Sequence, residues 1–309
     1  MELREFNYVN MVAECGSITK AAAKLFITQP ALSNYINKVE EELGAKLFDR
    51  SSNPLVLTYA GEQYLKRSQK IMNQLADMER EMRDITGHMT GRIRLGFPSE
   101  RIIYMLPLIL GPFQKQYPGI RVDVLTGPGN RLIEYLRSGD VDFIFLPTWH
   151  ELKDIVQVNV YQEELVLVAQ KGYLQDKDFI DRDLKVINWR EAAKYPLITL
   201  KKGHALRGCV EVLYKSAGVK PNIYLESHSN MLSYRLASQG LGVAVIPEIT
   251  MKNVQGVQEA EVFHLSETPV TWEVFALYRD GFYLGEAERA LLEIAQRELQ
   301  AGTDAHQDI

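Results

Sequence analysis

The sequence predicts an α+β chain in three parts: an N-terminal winged helix-turn-helix, one long linker helix, and a C-terminal α/β region. Three observations carry this. Apolar residues recur at helical spacing three times in succession and then give way to two short strand-like runs around Ser51-Ser52-Asn53-Pro54. A narrow apolar stripe with coiled-coil spacing follows. From residue 91 onward, strand-like and helix-like segments alternate.

Composition sets the frame. The chain has 309 residues, 46% hydrophobic and 24% charged, which is ordinary globular usage and long enough for more than one folding unit. No apolar run approaches the roughly 18–20 residues that span a bilayer. The opening Met-Glu-Leu-Arg-Glu-Phe lacks the basic end and apolar block of a secretion signal, so a cytoplasmic chain without a membrane partner is expected. Cys15 and Cys209 form no disulfide framework and no metal-ligand spacing; neither metal nor cofactor is expected. Net charge is −5, and residues 1–58 hold six Lys/Arg against seven Asp/Glu. Affinity for nucleic acid must therefore come from patterning, not bulk charge.

In the first helix Leu3, Phe6, Val9, Val12 and Ala13 share a face that stops near Gly16. Ser17 caps a second, with Ala21, Ala22 and Leu25 inward; small alanines permit a close, steep crossing. Thr28 caps a third, Pro30 fits its first turn, and Ala31, Leu32, Ile36, Val39 and Leu43 make its buried face up to Gly44. Gln29, Ser33, Asn34 and Asn37 remain on its other faces. Polar side chains near the N-terminal end of such a helix reach base edges in a major groove. The Glu40-Glu41-Glu42 run is expected to point away from phosphate. Lys46 to Arg50 and Leu55 to Leu57 read as a two-stranded wing, with Arg50 at its root as a phosphate contact.

Residues 16–61 resemble the DNA-binding segment of LysR-type transcriptional regulators. The resemblance rests on "S-x-T-x-A-A" from Ser17, "T-Q-P-A-L-S" from Thr28 to Ser33, "L-E-x-x-L-G-x-x-L-F-x-R" with Val39 in place of the first Leu, and "L-T-x-A-G" from Leu57. It implies that Thr28, Gln29, Pro30 and Ser33 face double-stranded DNA. Two departures remove positive charge. Asn34 stands where the family commonly has Arg, and Asn53-Pro54 where the wing tip often has Arg. Both predict weaker nonspecific binding.

Thr58 caps the linker helix, which runs to about Gly87. Ile71, Leu75, Met78, Met82 and Ile85 step 4, 3, 4, 3 along it, and Leu65 and Ser68 extend that seam backwards. Pairing with a second chain is expected, and the resemblance implies a homodimer assembling to a homotetramer. Gly87 to Gly91 reads as a hinge. The expected division is 1–58, 59–88 and 89–309.

In the last part, 93–97, 120–125, 141–145, 162–170, 196–200, 222–226, 243–247, 261–265 and 270–279 read as strands. Helices are expected at 102–117, 131–136, 205–217, 229–238 and 284–300. Leu136-x-x-Gly-Asp-Val-Asp142 and Gln239 to Pro247 resemble the two-lobed effector-binding domain of the same family, akin to periplasmic solute-binding proteins. The resemblance implies lobe 1 at about 91–161 and 267–301, lobe 2 at about 162–266, crossings near 161–163 and 265–268, and a small-molecule effector between the lobes. Ligands of open α/β sheets sit beyond the carboxyl ends of the strands, where helix N-termini favour anions. The strand-to-helix turns supply Ser99, Glu100 and Arg101; Gly129 and Asn130; Thr148; Lys202 and His204; and His228 and Asn230. A small anionic metabolite is the expected effector.

No nucleophile–base pair, phosphate loop or metal set stands out, so an enzyme is not expected. A sequence-specific, effector-modulated transcriptional regulator is the reading, with RNA polymerase a further candidate partner. A redox-responsive regulator on the same fold is the alternative, and Cys209 is its only candidate in lobe 2. A cytoplasmic solute-binding protein fits the C-terminal part but leaves the N-terminal module unexplained.

Overall fold

The computed structural model describes residues 2–304 apart from 53, 88, 149, 150 and 254–259. It divides into two compact units, residues 1–88 and 89–309.

The first unit starts with helices α1 (Leu3–Cys15), α2 (Ile18–Lys24) and α3 (Gln29–Leu43). Their ends follow from local chemistry. Ser17 accepts from the Lys20 N–H and Thr28 from the Ala31 N–H, while Gly44 ends α3 in the left-handed region. Strands β1 (Phe48–Asp49) and β2 (Val56–Leu57) pair antiparallel, Phe48 opposite Leu57. Val9, Val12, Ala21, Ala22, Leu32, Ile36, Val39, Leu47 and Phe48 form one core, so the wing root is packed into the same cluster as the helices. Helix α4 (Tyr59–Thr86) begins beneath the wing, capped by Thr58. Gly61 in its first turn lies so close that an added Cβ would stand 2.0 Å from the Leu47 carbonyl oxygen. That approach explains the glycine ending the "L-T-x-A-G" run. Ile71, Met78, Met82 and Ile85 of α4 are exposed. Ser68 does not extend this stripe: it is buried and donates to the Asn10 side chain of α1.

The second unit contains β3 (Gly91–Phe97), α5 (Arg101–Gln116), β4 (Ile120–Thr126), α6 (Gly129–Ser138), β5 (Phe143–Pro147), β6 (Ile155–Gln170), β7 (Phe179–Asp181), β8 (Val186–Ile187), α7 (Trp189–Ala192), β9 (Pro196–Leu200), α8 (Ala205–Ala217), β10 (Asn222–Ser227), α9 (Asn230–Ser238), β11 (Val243–Pro247), β12 (Ala260–His264), β13 (Thr271–Arg279) and α10 (Glu286–Asp304). The main sheet runs β10-β9-β11-β6-β13-β5-β3-β4. β3 is parallel to β4 and β5, and β9 is parallel to β10 and β11, as βαβ connections require. The expected parallel pairing holds inside each lobe, whereas β6 and β13 join the lobes by antiparallel pairing.

Two boundaries differ from expectation. β6 is one strand over 155–170, not 162–170. Its first half alternates apolar residues with half-buried Gln157 and Asn159, so no continuous apolar run marks it. The second crossing lies near Glu273, not at 265–268. Trp272 packs into the core of lobe 2 with Leu165 and Leu200, and Val274 into that of lobe 1 with Val160 and Phe97. β13 runs through both lobes because it stays paired with β6 from Thr271–Glu164 to Arg279–Ile155.

Candidate functional site

In the first unit, α3 presents Gln29, Pro30 and Asn34 exposed and Ser33 and Asn37 half-buried, with exposed Thr28 at its cap. Leu32, Ile36 and Val39 on the opposite face are fully buried, so the orientation of the polar face is set by the core. Arg50 is exposed at the wing root, and its guanidinium donates to the Asn37 side chain at 2.5 Å. Asn53 lies outside the described residues, as does Trp149 of the second unit.

Glu40 is the element that sequence reasoning missed. It does not join Glu41 and Glu42 in solvent; it is 2% exposed. Its carboxylate accepts from the Leu47 and Phe48 backbone N–H groups at 2.9 and 3.3 Å and from Lys46 at 2.8 Å, with Arg50 at 3.4 Å. One carboxylate thus ties α3 to the wing. Burial by itself would push the Glu40 carboxyl up, but the bonds from Lys46, Leu47 and Phe48 outweigh it and hold the pKa below its ordinary value. Spacing gives only its face: Glu40 lies one turn from the C-terminal end of α3, on the side that carries Val39 and Ile36, and nothing local names the wing amides as its partners.

Phe26, in the turn between α2 and α3, has φ 55° and is 94% exposed. A bulky side chain in the left-handed region is strained, and no packing offsets it here.

In the second unit, the sequence-predicted turns all fall at carboxyl ends of parallel strands. Exposed Ser99 and half-buried Glu100 follow β3; half-buried Gly129 and exposed Asn130 open α6; half-buried Thr148 follows β5. Exposed Lys202 and His204 lie between β9 and α8, exposed His228 lies between β10 and α9, and half-buried Asn230 opens α9. The His204 and His228 rings are 6.5 Å apart.

Two of these residues span the lobes. The Glu100 carboxylate accepts from the backbone N–H of Asn230 at 2.9 Å and of Met231 at 3.4 Å. Arg101 does not point to a ligand. It is 5% exposed and donates to Tyr161 and Glu163, both at 2.5 Å, and it lies over the Trp272 ring. Trp272 also donates its indole N–H to Glu163. Burial disfavours the Arg101 charge, but Glu163 beside it more than compensates and raises its pKa. A desolvated guanidinium already matched to a carboxylate is not available to an anion, so Arg101 belongs to the crossing strands and not to the ligand site.

Cys209 is partly buried on α8, and burial pushes its thiol up to about 11. That keeps it protonated and a poor nucleophile. Among the described residues, no cluster of His, Cys, Asp and Glu is arranged to hold a metal, and no helix is long and apolar enough to cross a membrane.

Comparison with known proteins matches both units. Residues 3–62 match the family model "Bacterial regulatory helix-turn-helix protein, lysR family", and residues 86–300 match "LysR substrate binding domain". The chain belongs to the LysR family. It is a DNA-binding transcriptional regulator with an effector-binding domain. The uncharacterized HTH-type transcriptional regulator YybE of Bacillus subtilis (strain 168) is 31% identical over 249 residues, 81% of this chain and 83% of that one. The HTH-type transcriptional activator CmpR of Synechocystis is 27% identical, with 86% of each chain covered. A full-length OxyR variant from Pseudomonas aeruginosa superposes with a TM-score of 0.74 at 21% identity, over 96% of this chain and 95% of that one. Full-length CbnR bound to its target DNA gives 0.65 at 22% identity, over 96% and 100%. These likenesses carry the fold.

Proposed function

We propose that the chain reads a two-fold DNA site through Thr28, Gln29, Pro30, Ser33, Asn34 and Asn37 of α3 and its cap. Arg50 and Asn53 of the wing meet the backbone. The observation that supports this reading most directly is the polar, accessible N-terminal end of α3 held over a fully buried opposite face. The exposed Ile71, Met78, Met82 and Ile85 stripe pairs two chains, and the pairs assemble to a tetramer. RNA polymerase is the partner through which bound regulator would act. The effector is a small anion held between Ser99, Gly129, Asn130 and Thr148 of lobe 1 and Lys202, His204, His228 and Asn230 of lobe 2. Exposed cationic and imidazole groups on the lobe 2 side favour negative charge there. Binding between the lobes changes how the DNA heads are spaced.

Footprinting on the DNA beside the chain's own gene, repeated with a panel of organic acids, tests both halves. A protected site with two half-sites is expected, with its spacing altered by at least one acid. Gln29→Ala should cost about 1–3 kcal/mol on the specific site if Gln29 reads a base edge. Equal losses on specific and random DNA would leave it only a backbone role. A monomer in size-exclusion chromatography with light scattering would overturn the pairing.

A further inference from the structure

The four N-terminal amides of α9 are all accounted for, and in an unusual way. Ser229, the N-cap, donates its own amide to the Ser227 hydroxyl and accepts from Leu232 through its own hydroxyl. The other two, Asn230 and Met231, donate to Glu100. Glu100 belongs to the other lobe. It occupies the N-cap position of its own helix α5 yet makes no side-chain cap bond there. Its carboxylate is given wholly to α9, across the space between the lobes. Around that contact the lobe 2 turns hold exposed Lys201, Lys202, His204 and His228, while the nearby Glu226 is paired with Arg207.

We propose that Glu100 is a specificity-determining latch: a tethered carboxylate that closes the lobes by standing where an acidic group of the effector would otherwise sit. The proposal rests on the reading that the effector binds between the lobes. Separation of the lobes would expose the Asn230 and Met231 amides and strip Glu100 of its charge-assisted hydrogen bonds, so the contact favours the closed form. A carboxylate effector must then displace Glu100 and supply its own oxygens to those amides. A neutral ligand offers those amides only the weaker bonds of an uncharged acceptor, which makes Glu100 a filter for negative charge as well as a lock. Its neighbour Arg101 fixes the same end of α5 to both crossing strands through Glu163 and Trp272, so Glu100 acts from a rigid base.

The experiment needs no effector. Spin labels at Arg137→Cys on α6 and Lys215→Cys on α8, in a Cys15→Ser, Cys209→Ser background, report the inter-lobe distance by pulsed EPR. Labelled chains are mixed with excess unlabelled chains so that distances within one chain are read. The latch predicts one narrow distance for the parent and a longer, broader distribution for Glu100→Ala. The open-to-closed ratio should rise by about tenfold, the effect of losing a hydrogen bond to a charged group. Glu100→Gln, which keeps one acceptor but loses the charge, falls between. Thermal denaturation identifies any variant that has lost its fold, and Glu100→Gln then carries the comparison. An unchanged distribution in a folded Glu100 variant overturns the latch. Acetate and malonate titrations followed by melting temperature separate this from the effector reading. Opening in Glu100→Ala with no anion response in either protein would keep the lock and remove the carboxylate effector. An anion response equal in parent and Glu100→Ala would remove Glu100 as the competitor.

Discussion

Glu40 in the DNA-reading unit and Glu163 in the effector unit are both nearly closed to water, but their partners differ. Glu40 accepts from two backbone N–H groups, and its cations, Lys46 and Arg50, are themselves exposed. Glu163 faces Arg101, whose side chain is 6% exposed, together with Tyr161 and Trp272. The first joint replaces water around one charge with fixed amides, and its cations keep their hydration. The second takes two opposite charges out of water together. Removing a cation should therefore matter little at the wing and greatly at the crossing strands.

The largest expected effect tests that contrast directly. Arg101→Ala leaves Glu163 buried without its cation and should cost about 3–5 kcal/mol in denaturant unfolding. Arg50→Ala should cost under about 1 kcal/mol, because Arg50 itself is water-accessible and Glu40 keeps Lys46 and two backbone amides. Similar losses at both positions would break the comparison. Glu40→Ala comes next. It leaves the Leu47 and Phe48 amides without their acceptor, and about 1–3 kcal/mol is expected for each one left unsatisfied. Glu40→Gln, which can keep one of those bonds, should lose clearly less; equal losses would show that charge and not the amides holds the wing.

The acid limb sharpens the same point. The Glu40 pKa lies below its ordinary value of 4.5. Its stabilising effect is complete above 4.5 and is lost as pH falls through the lower folded value. Melting temperature in the first unit should fall below pH 4.5 in the parent and fall less in Glu40→Gln. Parallel curves would assign the acid loss to other carboxylates, Glu5 included, whose pKa is also lowered by a backbone bond in its own helix cap. The smallest effect concerns the turn beside the reading helix. Phe26→Asn removes an exposed side chain from a left-handed backbone position and should raise stability by about 1 kcal/mol. A loss would show that the ring makes a contact that matters to folding.

The elements that became legible from residues alone are those governed by short-range chemistry. Ser17, Thr28 and Thr58 mark helix starts because a side-chain oxygen satisfies an amide three residues on. The alternation after residue 91 marks two parallel-stranded lobes. The first half of β6 was not legible, since its pairing with β13 and not its own hydrophobicity makes it a strand. Among the candidate ligand residues, the turns were legible as positions but not as partners. Glu100 and Arg101 are adjacent in the chain and read alike as polar groups at a helix start. In the fold one reaches across to α9 and the other turns into the crossing strands.

The sequence by itself determined the helix caps, the buried faces, the family and the order of the parts, because each depends on residues within a few turns of one another. Only the tertiary structure decided what the charges do. It buried Glu40 beneath the wing, matched Arg101 to Glu163, and set Glu100 on the amides of another lobe. Those outcomes depend on desolvation and on partners 6 to 131 residues away, and neither quantity is written in local spacing.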